Sequence, residues 1–216
     1  VEDETGKKIQ KIIPKKEFRK RIAVFNFKNE SDDPQLNWLQ DGFTACIHYD
    51  LIQDTFIDTQ GAITSDLFYK KMEKSGFSDR IGLPLALQRE IARQFHLDYF
   101  LTGSFSKSNN QFVVKSSLYQ TKQGKLVTEN TFQGDDIFKI VDNLTVKLKE
   151  DVEIPKKHIE ESDDLPIGEI LTHSTAAMEK CILGSTALQF DDDFRTAIKY
   201  FNSATKIDPT FSLVHY

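Results

Sequence analysis

The five histidines and two cysteines are the side chains of this sequence best suited to metal or nucleophilic chemistry, and their spacing argues against both. His48, His96, His158, His173 and His215 fall in separate segments. His48 and Asp50 lie two apart in a helical pattern, where neighbours at i and i+2 point to different faces. His96 and Asp98 straddle a helix-to-strand loop and supply two ligands at most. Cys46 and Cys181 have no CxxC partner, and each sits in an apolar helical pattern as a small hydrophobe does. The run Asp191-Asp192-Asp193 lacks the spaced oxygen ligands and glycine of a calcium loop and reads as a solvated turn. Asp32-Asp33, Asp135-Asp136 and Asp163-Asp164 stand where caps and loops need acids, not as acid–base pairs. No nucleophile elbow, Walker loop, GxGxxG or HExxH occurs. The expectation is a non-enzymatic chain with no catalytic, cofactor-binding or metal residues.

Charge is unevenly spread over the 216 residues, whose formal net is −5. Val1–Lys20 holds seven Lys/Arg against four Asp/Glu, a net of +3 that leaves −8 for the remainder. This basic stretch has no apolar face and reads as a linker over 1–20. The acidic remainder argues against nucleic acid as a partner. No apolar run approaches the roughly 20 residues of a membrane span, so a membrane is reached only through a tether outside this stretch. The polar start and the helical pattern running into Tyr216 give the look of an excised fragment, with an extracytoplasmic, tethered position preferred over a cytoplasmic one.

Periodicity supplies the elements. Ile22–Phe27 suits a strand covered on both faces. Leu36, Leu39, Phe43, Ile47 and Leu51 form one helical face, and Thr55–Asp58 a short strand. Ser65 caps a helix through Phe68 and Met72, and Pro84 opens another through Leu87 and Ile91. The period then changes to two: Tyr99–Phe105, Phe112–Tyr119 and Lys125–Phe132 read as a meander turning at Lys122-Gln123-Gly124. A helix through Ile137, Ile140, Val141, Leu144 and Leu148 closes the unit. The result is an α/β domain over 21–152, two-layered with a mixed sheet. An acidic linker over 153–166 follows, then an all-α helical hairpin over 167–216 with the start of a further unit.

Two resemblances rest on particular residues. Ser185, Leu188, Phe194, Ala197, Phe201, Ala204 and Pro209 recur at the spacing of a tetratricopeptide repeat. There Ala197 and Ala204 allow close helix approach, Phe194 and Phe201 fill the space between helices, and Pro209 stops the second helix. Arg21–Ser31, Trp38 with Asp41-Gly42-Phe43-Thr44, and Leu97–Ser104 resemble the TolB N-terminal-like domain of bacterial multidomain regulators. Asn26 stands where that family has proline, and His96-Leu97 where it has Gly-Val. Asp41-Gly42 and Gly103 are expected at tight backbone approaches. The resemblance implies a regulatory module beside a cyclase, kinase or transcription-activator domain, with a protein partner bound by a tetratricopeptide array. A small-ligand sensor, with a pocket between sheet and helices opening near Asp41–Thr44, is the alternative. Oligomeric state stays open.

Overall fold

β1 (Lys20–Val24) decides the architecture, because its side chains are buried on both faces. Ile22 and Val24 enter one core, while Ala23 and the following Phe25 enter another. In the computed structural model, which describes residues 14–15, 18–211 and 213, β1 pairs in parallel with β3 (Ile57–Gln60) and β4 (Tyr99–Ser108). The two-residue β2 (Lys28–Asn29) runs parallel to β4 further along. β4, β5 (Gln111–Gln120) and β6 (Lys125–Gly134) form the antiparallel meander. The strand order is β3-β1-β4-β5-β6, a mixed six-stranded sheet as the period change implied. β3 begins two residues later than the sequence suggested. Asp54 makes a turn, its carboxylate accepting from the Phe56 amide at 2.9 Å and its carbonyl from Ile57 at 3.1 Å.

Helices cover both faces, which corrects the two-layer expectation. α1 (Leu39–Leu51) and α4 (Ile137–Asp151) pack on one side, α2 (Asp66–Lys74) and α3 (Leu85–Gln94) on the other. A strand apolar on successive residues needs both covers, so the reading of Ile22–Phe27 already contained the answer. Ser65 Oγ caps α2 through the Phe68 amide at 3.3 Å, and Asp136 caps α4 through Phe138 and Lys139 at 2.9 and 3.4 Å. Pro84 sits immediately before α3.

The segment 153–166, read as an acidic linker, is tied to the body. Ile154 is buried, α5 (Lys156–Glu160) forms within it, and α6 (Ile167–Ile170) follows. Gln53 clamps Leu165 by accepting its amide and donating to its carbonyl, both at 2.9 Å. Beyond it α7 (Thr175–Gln189) and α8 (Phe194–Ile207) run antiparallel. Thr172 bonds Asp208 at one end, Ala187 accepts the Asp193 amide at the other, and Phe201 packs across Gly184 between them. Ala177, Met178, Cys181 and Ile182 belong to the same apolar cluster as Ala45 and Cys46 of α1 and Leu144 of α4. Residues 1–13, 16–17, 212 and 214–216 of the basic stretch and the terminal helical pattern lie outside the described residues.

Gly103 is a close approach, as expected. It lies on the β4 face that carries Leu101 and Phe105, under the ring of Phe27; Phe27 and Phe105 each flank Phe43, at 5.7 and 5.3 Å between centroids. A Cβ at position 103 overlaps both that ring and the Lys115 carbonyl. Gly103→Ala is expected to destabilise the fold by about 3 kcal/mol through overpacking, read as a lower urea midpoint at unchanged m-value.

Candidate functional site

The α7–α8 pair meets the α/β body across a cleft of about 750 Å³. Tyr49 of α1, Tyr69 and Lys70 of α2, and Ile182, Ser185 and Leu188 of α7 are among its walls. That volume suits a small molecule or an inserted side chain of a partner.

One end of the cleft is fixed by Arg80. The loop that carries it joins α2 to α3 and holds Arg80 at φ +64, a left-handed conformation that costs a branched or long residue about 1 kcal/mol. Its guanidinium donates from Nε and a terminal nitrogen to the two Asp41 oxygens, at 3.2 and 2.9 Å. Asn26, at the end of the β1 segment, donates to the same carboxylate at 2.6 Å. Both members of the ion pair are buried, Asp41 at 7% and Arg80 at 9% exposure, so each needs the other to offset its desolvation. The guanidinium also stacks on Phe190, 3.8 Å from the ring centroid, and Phe190 in turn packs on Tyr69 at 4.5 Å. Gln189 donates to the Ala62 carbonyl and to Asp66, both at 3.2 Å. The C-terminal end of α7 is thereby held to α1 and α2.

A second polar cluster lies where α1, α4 and the 153–166 segment meet. Lys149 pairs with Asp164 at 2.5 Å and lies 3.8 Å from Asp54, which His158 contacts at 3.0 Å. Beside it Asp50 is buried, and burial pushes its carboxyl up to about 6, reinforced by Asp142 and Asp164 and opposed by the Thr145 hydrogen bond and the Lys149 charge. On the same helix His48 is driven down to about 4 by burial, with Asp58 opposing, and shares a 2.5 Å hydrogen bond with Thr59. Burial also raises both cysteines, Cys181 to about 11, which holds them as unreactive thiols. Among the described residues no group of three or more His, Cys, Asp or Glu converges as a metal site. Nor is any helix among them long and apolar enough to cross a membrane.

The repeat-type residues separate into three groups. Ala197 and Ala204 are buried on the inner side of α8. Ser185, Leu188 and Phe201 line the cleft. Phe194, expected between the helices, is 62% exposed, because the alanines and Phe201 already fill the space against α7. Pro209 follows the end of α8, where Asp208 makes the cap. His96 lies on a left-handed turn, and Asp98 is engaged by Arg21 at 3.0 Å, so that pair holds no ligand together. None of Asp41–Thr44 lines the cleft at α7 or a smaller pocket of about 350 Å³ walled by Asn26, Arg80, Gln88 and Gly103, so the opening anticipated there is displaced to the far side of the Asp41–Arg80 pair. Arg80, Tyr69 and Phe190 carried no signal in the sequence, since none belongs to a periodic stripe or a motif.

No family model matches the sequence, and no curated protein matches it. Solved structures do. The C-terminal domain of LpoB from Salmonella enterica shares 14% identity at TM-score 0.45, over 53% of this chain and 82% of that one. Lipoprotein GNA1162 from Neisseria meningitidis matches at 14% identity and TM-score 0.44, over 62% and 99%. TolB from Acinetobacter baumannii matches at 11% identity and TM-score 0.40, over 62% and 28%. The structural neighbours thus include TolB and LpoB-like lipoprotein domains.

Two measurements follow from the buried charges. Arg80→Met leaves Asp41 buried without its cation and is expected to cost about 3 kcal/mol, with Asp41→Asn in the same chain recovering most of it in a denaturation double-mutant cycle. Asp50 and His48 act oppositely as pH falls. The native state takes up a proton at Asp50 early, so that group adds stability between about pH 6 and 4. His48 resists its proton until about pH 4, so that group removes stability below pH 6.5. Relative to wild type, Asp50→Asn should lose about 2 kcal/mol between pH 7 and 4, and His48→Gln should gain, in urea titrations across that range.

Proposed function

We propose that this chain is a non-enzymatic interaction module whose α7–α8 pair, a tetratricopeptide-like hairpin opening a repeat array, binds a protein partner for a larger bacterial signalling protein. The observation that carries the reading is on α8. Phe194 and Ile198, one turn apart, stay 62% and 59% exposed beside the stripe of Ala197, Phe201 and Ala204 by which the helix packs. Large apolar side chains adjacent on one helix and left in water mark a contact surface. The anchoring of α7 by Arg80 and Gln189 supports it, since a fixed helical pair presents that surface at a set angle to the sheet. The buried ionisable groups are consistent with a structural role: Asp41 is neutralised by Arg80, Lys149 by Asp164, and the two thiols are held protonated.

A small-ligand sensor is the second reading, favoured by the cleft of about 750 Å³. A metabolite that raises the melting temperature of wild type and not of Ser185→Trp, which fills the cleft, would support it.

The partner reading is tested by site-specific photocrosslinking from position 198 in cells, followed by titration of the purified crosslinked protein. Phe194→Asp/Ile198→Asp should leave the melting temperature within about 2 °C, as exposed substitutions do, and weaken that titration at least tenfold. Unchanged affinity of the double variant overturns the reading.

A further inference from the structure

At the edge where β1 and β4 begin, a pocket of about 780 Å³ gathers positive charge that the composition of the chain does not foretell. Arg19, Lys20, Arg21, Arg89, Arg93 and Lys122 line it, and the carboxylate in the lining is Asp98. Arg21 consumes that acid in a two-pronged bond at 3.2 and 3.0 Å, and Arg93 is matched by Glu90 on its flank at 3.0 Å. Arg89 donates to the Thr121 and Lys122 carbonyls at 2.9 and 2.6 Å, which fixes the guanidinium without cancelling its charge. Among the described residues, Arg19, Lys20, Arg89 and Lys122 make no ion pair. Cations held together on a protein that is acidic overall repel one another, and an anionic ligand relieves that repulsion.

The polar atoms of the pocket point the same way. Thr121 is 3% exposed, yet its hydroxyl has no hydrogen-bond partner among the described residues, and the same holds for the buried Nε of Arg19. Both residues line this pocket. A buried donor without a partner is unfavourable, and an oxygen-rich anion supplies acceptors for both. The pocket also has flat walls, an exposed Phe18 and a half-buried Tyr99, beside His96.

We infer that this pocket is a binding site for a phosphate-bearing small molecule, its phosphates held by Arg19, Lys20, Arg89, Lys122 and the Thr121 hydroxyl and its remaining part against Phe18 and Tyr99. A single phosphate leaves most of the volume empty, so the ligand is a phosphorylated metabolite or the headgroup of an anionic phospholipid, which share the recognised chemistry. The site shares no lining residue with the cleft at α7 and stands whether or not the partner reading holds.

Isothermal titration of the intact chain with inorganic pyrophosphate at constant ionic strength is the first arm. Flotation with phosphatidylcholine vesicles, with and without phosphatidylglycerol, is the second. Saturable pyrophosphate binding identifies a free phosphorylated ligand. Flotation that requires phosphatidylglycerol, without pyrophosphate binding, identifies the headgroup. In either arm Arg19→Gln/Lys20→Gln should weaken binding about tenfold or more, while Lys74→Gln/Lys139→Gln, removing equal charge elsewhere, should leave it unchanged. Should the Arg19/Lys20 variant lose its fold, the Thr121 amide shift on adding pyrophosphate to wild type provides the local readout. Absence of binding in both arms overturns the inference, as does equal weakening by the two charge variants.

Discussion

A carboxylate buried beneath a helix must find a cation, and the way Asp41 finds one organises much of this molecule. Its partner, Arg80, comes from a loop on the other side of the sheet's edge and is held in a left-handed backbone conformation. The same guanidinium lies over the ring of Phe190 at the end of α7. One residue therefore joins α1, the α2–α3 connection, the end of β1 through Asn26, and the C-terminal helical pair. Hydrophobic contact alone would leave the angle between these elements adjustable. A planar, two-pronged ion pair fixes direction as well as distance.

Around that joint, packing is dominated by phenylalanine. Phe27, Phe43 and Phe105 interlock on one side of the sheet, and Phe25, Phe68 and Phe100 on the other. The two cores are separated by a strand whose side chains alternate between them, so neither can be repacked without moving the other. The apolar cluster of the first side continues into α7 and α8 without interruption.

How much of this was legible in the residues follows from the range of each interaction. Local signals held: Ser65 and Asp136 cap the helices that their hydroxyl and carboxylate announced, and the period of two across 99–132 gave the meander. The mixed sheet followed from a continuous apolar strand succeeded by alternating ones. The number of layers did not, though Ile22–Phe27 implied it, because covering helices are shared out only in three dimensions. The 153–166 segment misled for the opposite reason. Its charges look solvated in a row, yet Asp164 meets Lys149 and His158 meets Asp54, contacts spanning 15 and 104 residues. Candidate sites fared likewise. Ser185, Leu188 and Phe201 were marked by spacing as repeat residues, and the cleft they line was not foreseen; Arg80, Phe190 and the convergence of Arg19 with Arg89 and Lys122 likewise arise from folding alone.

The sheet ends on β6, whose outer margin meets no further strand among the described residues. Ten residues of open backbone would ordinarily invite a foreign strand to dock there. Past Leu126 and Val127 the outward side chains are Glu129, Thr131 and Gln133, all exposed, while Thr128, Asn130 and Phe132 turn toward α4. An incoming strand would find amide groups to bond and little oil to share. Among the described residues no loop or proline blocks this border, and the water held by its polar outer face is what a docking strand would have to displace.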